Sequence, residues 1–308
     1  MLSVQSPRSV VMIRPHHFSP NADTAQDNSF QTDDTARTPG EIAQAAYAEV
    51  SEAVEKLEAA GVRVHLFEDG TRDTPDSVFP NNWFSTHIGG HIALYPMYAP
   101  SRRKERRRDI IELLKQRYRV QDVIDYSGLE YDGVFLEGTG AMVLDHVERV
   151  AYAARSNRCN AVALERFCTH FNFEPIVFDA FNAQGQPIYH TNVLMGIGSE
   201  ICLIGLETIQ NAARRAEIVE RLEAGGRRMI ALSQTQISEF AGNAIELQGR
   251  EGKILALSTR ALRALTVEQR REIERVASLL PLSVPTIELA GGSVRCMIAG
   301  VHLSPRKV

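Results

Sequence analysis

The sequence has few cysteines and no arrangement of them that would staple a small fold or hold a metal: Cys159, Cys168, Cys202 and Cys296 form no C-x-x-C pair and do not cluster with histidines. That excludes a disulfide framework and a structural zinc site, and it agrees with a reducing, cytoplasmic setting. Long hydrophobic runs are also missing. The most apolar stretch, 193–206, is interrupted by Ser199 and Glu200 and falls short of the roughly 20 residues a membrane-spanning helix needs. Residues 10–13, apolar and followed by Arg14, are too short for a signal-peptide core. Nor is there an excess of either charge: 34 Lys and Arg stand against 38 Asp and Glu, a formal net charge of −4, so neither nucleic acid nor an anionic membrane is an expected partner. No Gly/Ser linker divides the chain, and no G-x-G-x-x-G follows a first strand, which removes the dinucleotide fingerprint of a doubly wound sheet.

What the chain does have is length, 308 residues, enough to bury roughly 75% of its unfolded surface. Thr38-Pro39-Gly40-Glu41 carries the marks of a helix start, a hydroxyl cap, a proline in the first turn and a carboxylate placed to reach back. Ile42, Ala46, Val50, Ala53, Val54 and Leu57 then recur at helical spacing, Gly61 supplies a stop, and a strand-like run follows at 62–67. The same order returns four times, with helices expected over 102–116, 158–171, 209–223 and 267–278, each before a strand, at 120–124, 175–178, 228–232 and 283–289. Short strand pairs stand between them, 83–88 with 91–95 and 142–144 with 150–153. Five units at a period of about 60 residues predict an α/β fold of repeated strand-strand-helix-strand units in one domain, with loops converging on a central polar site. Segment 16–37 breaks the pattern. It is polar, with only Phe18 and Phe30 as large apolar residues, and a loop of that length predicts an active-site lid.

Three polar or glycine-rich insertions border expected strands: 135–140 with Glu137, 189–192 with His190, and 290–296 with Cys296. Singly, each has a plain reading, as a solvated turn carboxylate, a satisfied core histidine and a small buried thiol. Together they supply a nucleophile, a base and a carboxylate to orient the base, which is what thiol catalysis requires. The histidines offer no His-x-x-x-His spacing, so no metal and no cofactor is implied. Most of the basic run from Arg102 to Arg108 reads as a solvated helix face.

These residues carry a resemblance. Pro75-Asp76-Ser77-Val78-Phe79 and Ala99-Pro100-Ser101-Arg102-Arg103-Lys104-Glu105 resemble motifs of the dimethylarginine dimethylaminohydrolases, and Leu136-Glu137-Gly138, the His-x-Asn at 190–192 and the late Cys296 extend the resemblance to a wider superfamily. From about Val10 to His302 the chain is similar to the guanidine-modifying enzyme superfamily. The resemblance implies a five-bladed α/β propeller, the pentein fold, with Cys296 as nucleophile, His190 as general acid and base, and Glu137 orienting His190. It also implies a small amino-acid substrate, with Asp76 among its contacts and Arg102 and Arg155 clamping its α-carboxylate, and a homodimer as a family-level expectation.

The departures are informative. Where deiminases and amidinotransferases carry aspartates, this chain has Asn82, in Phe79-Pro80-Asn81-Asn82, and Asn192, in His190-Thr191-Asn192. A guanidinium buried without carboxylates loses its hydration uncompensated, whereas an amide offers donor and acceptor to a neutral ureido group. With Met12-Ile13-Arg14-Pro15, Asp27-Asn28-Ser29-Phe30-Gln31 and the block 189–198, the chain resembles the citrulline-utilisation hydrolase branch. That implies hydrolysis of the ureido group of L-citrulline to ornithine, carbon dioxide and ammonia through a covalent thiol intermediate. Two alternatives stay open. One is an arginine deiminase, dimethylarginine hydrolase or amidinotransferase acting on a guanidino group. The other is a non-catalytic propeller binding module, which would have no reason to keep Glu137, His190 and Cys296 together.

Overall fold

The computed structural model describes residues 4–306. At Thr38 the side chain accepts from the Glu41 amide while the Glu41 carboxylate accepts from the Thr38 amide, a reciprocal cap that opens helix Pro39–Ala59. The helix buries Ile42, Ala46, Val50, Ala53, Val54 and Leu57 in a cluster with Val10 and Met12. The chain then turns at Gly61, whose φ of +91° suits glycine, into strand Arg63–Asp69, parallel to Ser9–Pro15.

Four further units follow, each a short antiparallel hairpin whose second strand pairs in parallel with a strand beyond the helix. They are Phe84–His87, His91–Leu94 and Asp122–Asp125; Met142–Asp145, Val150–Ala154 and Glu174–Phe178; Met195–Ile197, Ile201–Ile204 and Arg228–Ala231; and Ile245–Gln248, Lys253–Ser258 and Ser278–Leu282. The first sheet is completed from the far end of the chain, where Ala299–Gly300 pairs antiparallel with Ser9–Pro15. Among the described residues the result is an α/β fold of five three-stranded sheets.

Several boundaries differ from the sequence expectation. Pro100–Glu105 is a 3-10 turn, and the helix proper is Arg108–Arg117. Helix Ala161–Phe171 starts behind an Asn160 cap, which leaves Arg158 outside it. The last helix, Val267–Glu274, is shorter than expected, and the strand after it is Ser278–Leu282 rather than 283–289. That strand is an edge of its sheet, where Pro281, lacking an N–H, is tolerated. Residues Ile287–Ala290 form a 3-10 turn instead.

In every sheet one edge strand is preceded by a tight turn. The turns are Pro80–Asn82, Gly138–Ala141, Thr191–Leu194, residues 240–243 and Val294–Met297. They pack against one another, and this brings five distant stretches of sequence to one place.

Candidate active site

Each of the five turns contributes polar side chains. Asn82 ends the first, Glu137 precedes the second, His190 precedes the third with Asn192 inside it, Asn243 ends the fourth, and Cys296 lies in the fifth. All six are buried. Close approach is bought with glycine: a methyl group at Gly140 would stand 2.8 Å from the His190 ring and 2.9 Å from Asn82 Oδ1.

His190 Nε2 lies 2.9 Å from Glu137 Oε2. Burial alone would raise the Glu137 carboxyl, but Arg158, the His190 hydrogen bond and Arg102 together hold it well below the usual carboxylate range. It is therefore ionised, and His190 Nε2 carries the proton it donates, which leaves Nδ1 as the basic nitrogen. Burial lowers His190 to about 4, opposed by Glu137, so the ring is neutral at pH 7. The second oxygen of Glu137 accepts from the Tyr98 amide at 3.0 Å, fixing the carboxylate. A nitrogen of Arg102 and one of Arg158 stand 3.5 Å from Oε2.

The thiol sits among amides. Cys296 Sγ is 3.3 Å from Asn243 Nδ2, and 3.5 and 3.6 Å from the two ends of the Asn192 amide. Cys159 and Cys168 are pushed up to about 12 by burial, and Cys202 higher still; these three are packing residues.

Asp76, Asn82, Arg102, His190 and Cys296 line one cavity together with Thr24, Asn28 and Arg158. Its free space is about 10 Å³, room for roughly one water. Asp76 is pushed up by burial, opposed by Arg102, and its Oδ1 has no hydrogen-bond partner; Asn82 Oδ1 likewise has none. Both are acceptors with unused capacity. Glu137 and Asn192 touch His190 and Cys296 as described, so of the sequence-derived residues only Arg155 is left apart. Its side chain is 55% exposed and pairs with Asp179 at 3.1 Å. The arginine at the site is Arg158, 2% exposed, its fork closed on Asp27 at 3.1 and 2.5 Å. The correction has a local cause: 155–158 turns back on itself, with Ser156 bridged to Cys159, so residues three apart face opposite ways. Arg102 is at the cavity, but its fork is filled by Glu105 at 2.9 Å on both nitrogens. Asn243 was not singled out by sequence; the repeat could have pointed to it, since it stands two residues before its edge strand as Asn82 does before its own.

Among the described residues no helix is long and apolar enough to cross a membrane. No curated protein matches the sequence. Among solved structures, the N-terminal domain of ArgZ, an arginine dihydrolase from cyanobacteria, is similar over 95% of this chain and 97% of that domain, with TM-score 0.72 and 14% identity. AgrE, in a complex with L-arginine, is similar at TM-score 0.73 and 15% identity over 97% of this chain, which spans 40% of AgrE. A dimethylarginine dimethylaminohydrolase bearing an S-methyl-L-thiocitrulline adduct is similar at TM-score 0.59 and 15% identity, over 96% of this chain and 99% of that one. At such identities these likenesses show the fold, that of the penteins. The model of the family described as N,N dimethylarginine dimethylhydrolase, eukaryotic, matches residues 14–303. The chain belongs to that family, and is a guanidine-modifying-type hydrolase of carbon–nitrogen bonds other than peptide bonds.

Proposed function

We propose that the chain hydrolyses the ureido group of L-citrulline to ornithine, carbon dioxide and ammonia. The observation that carries this reading is the chemistry around the thiol: Asn192 and Asn243 touch Cys296 Sγ, and Asn82, which lines the same cavity, has a buried carbonyl oxygen without a hydrogen-bond partner. Neutral amides match a neutral C=O and NH2 pair and give a buried guanidinium no charge to pair with.

In this reading Cys296 attacks the ureido carbon as thiolate, its proton passing to His190 Nδ1 and on to the departing nitrogen. A carbamoyl thioester remains on sulfur. His190 Nδ1 then takes a proton from water as that water attacks the thioester, the thiolate leaves, and the carbamate formed loses carbon dioxide. Glu137 holds the ring and offsets the imidazolium charge that forms transiently. The α-amino group goes to Asp76 Oδ1, and the α-carboxylate to Arg158. Segment 16–37 is the lid: Thr24 and Asn28 line the cavity, Asn28 donates to the Ala290 carbonyl at 3.0 Å, and Asp27 occupies the Arg158 fork. An amino acid does not fit in the closed cavity, so the lid opens to admit it and the substrate carboxylate replaces Asp27. The five sheets are read as the blades of one propeller domain whose axis passes the site.

A guanidino substrate is the second reading. It is favoured by Asp76, a buried carboxylate with an unpaired oxygen, and by the fold shared with ArgZ, an arginine dihydrolase. Product analysis on arginine, methylated arginine, citrulline and agmatine decides between them. Ornithine formed fastest from citrulline supports the ureido reading; faster turnover of arginine overturns it.

A further inference from the structure

We infer that Asn243 is a catalytic residue, the hydrogen-bond donor that stabilises the Cys296 thiolate as its proton leaves for His190. The inference deepens the proposal that Cys296 is the nucleophile, and rests on it.

A buried thiol needs compensation to ionise. In this protein burial is the main cause that pushes the Cys159 and Cys168 thiols up to about 12, away from ionisation. Proteins that use a reactive cysteine usually set a cation or an imidazolium beside it. Here the imidazole is neutral and donates to Glu137, and the buried guanidiniums of Arg102 and Arg158 are paired with Glu105, Glu137 and Asp27. Arg295, on the same turn as Cys296, is a buried guanidinium with no ion pair among the described residues; its charge acts on Cys296 through space, but its hydrogen bond goes to the Ile298 carbonyl and not to sulfur. Tyr189 and Asp76 also face the cavity, and neither is a cation. Direct contact with sulfur comes from amides.

Of the two amides, Asn243 is the one whose orientation is fixed. Its Oδ1 accepts from the Arg295 amide at 3.0 Å, so Nδ2 must be the end that faces sulfur, at 3.3 Å, and it also donates to the Asn192 carbonyl at 2.9 Å. Both Nδ2 hydrogens are accounted for, one on sulfur. Asn192, by contrast, lies with its amide side-on to Sγ, both ends nearly equidistant. The chain bends sharply to put Asn243 there: Phe240 takes φ +60°, a left-handed conformation uncommon for a large side chain, and a methyl at Gly242 would stand 2.7 Å from the backbone of Val193 and Leu194. Strain of this kind gathers where a side chain must be aimed.

The test reads the thiolate without substrate. The rate of iodoacetamide alkylation of Cys296 is followed from pH 5 to 10 in the parent, Asn243→Ala and Asn243→Asp, with Cys159, Cys168 and Cys202 replaced by alanine in each and folding checked by circular dichroism. Asn243→Asp keeps the shape and the acceptor for the Arg295 amide but loses the donor. A scaffold role would therefore tolerate it, and the donor role would not. The expected result is an alkylation midpoint raised by about one pH unit in Asn243→Ala and by more in Asn243→Asp, so that at pH values well below the parent's midpoint alkylation falls about tenfold or further. A midpoint equal to the parent's in either folded variant overturns the inference; Asn243→Ala alone supplies the reading if the aspartate does not fold. Because no substrate is involved, a shifted midpoint in a protein that ignores citrulline would sink the citrulline reading and leave this one standing.

Discussion

Around Glu137 the cavity is built of charge: Asp76, Arg102, Glu105 and Arg158 crowd within a few ångströms of one another, and Glu105 is pushed up to about 7 by burial despite Arg102. Around Cys296 it is built of amides, Asn192 and Asn243 in contact with sulfur and Asn82 on the same cavity. In the proposed reading the two walls sort the ends of a substrate. A zwitterionic amino acid has its charges at the α-carbon, which the charged wall can pair, and the group that reacts lies beside sulfur, where the amides set its polarity. Charge fixes position and dipoles fix chemistry, so substitutions on the two walls are expected to fail in different ways.

The largest effect is expected at the sulfur. Cys296→Ser should lower kcat by at least about 10³-fold in a folded protein, since a hydroxyl at neutral pH is a far weaker nucleophile than a thiolate. Steady-state rates with circular dichroism check it, and substantial activity in the folded variant removes covalent thiol catalysis.

Next comes Glu137→Gln, which leaves the contact with His190 but removes the charge that supports an imidazolium. A fall in kcat of about 10² to 10⁴ is expected with KM little changed. A change confined to KM would place Glu137 with the substrate-holding groups instead.

The substrate-holding groups of the charged wall, Glu137 apart, should answer in KM. Arg158→Ala is expected to raise KM about 10- to 100-fold, the loss of a forked carboxylate contact. Arg155→Ala, three residues away and exposed, should stay within about twofold of the parent. If the two exchange behaviour, the carboxylate assignment is wrong.

The smallest effect is a shift in pH dependence. His190 must be unprotonated to act, and with its value near 4 rather than the ordinary 6.5 the acid limb of kcat/KM belongs close to pH 4. Activity is lost as pH falls through that value, and at pH 5 most of it survives. An acid limb near 6.5 would mean that the imidazole is not desolvated as described.

How much of this was legible in the sequence follows from how local each signal is. The cap at Thr38 and the stripe from Ile42 to Leu57 are determined within one helix, and they fold as read. Glu137, His190 and Cys296 could be proposed together because each sits in a polar interruption beside an apolar strand. Arg155 and Arg158 could not be told apart, because both lie in a turn whose direction is set by the Ser156–Cys159 bridge and by Asp27, which is 131 residues away. Asn243 lies in a segment with no charge and no motif. Its place is visible only when the five turns are superposed as repeats, and that register depends on strand ends, the least local of the features involved.

The claim at the centre of the account is that amides at 82 and 192 select a neutral reacting group. It is tested by measuring ornithine released from citrulline and from arginine by the parent and by the Asn82→Asp, Asn192→Asp double variant, with calorimetric affinity for both ligands. The account predicts that the parent turns over citrulline and binds arginine poorly. In the double variant, arginine binding improves and citrulline turnover falls, because two added carboxylates favour a cation and disfavour the nearby thiolate. A parent that hydrolyses arginine faster than citrulline contradicts it.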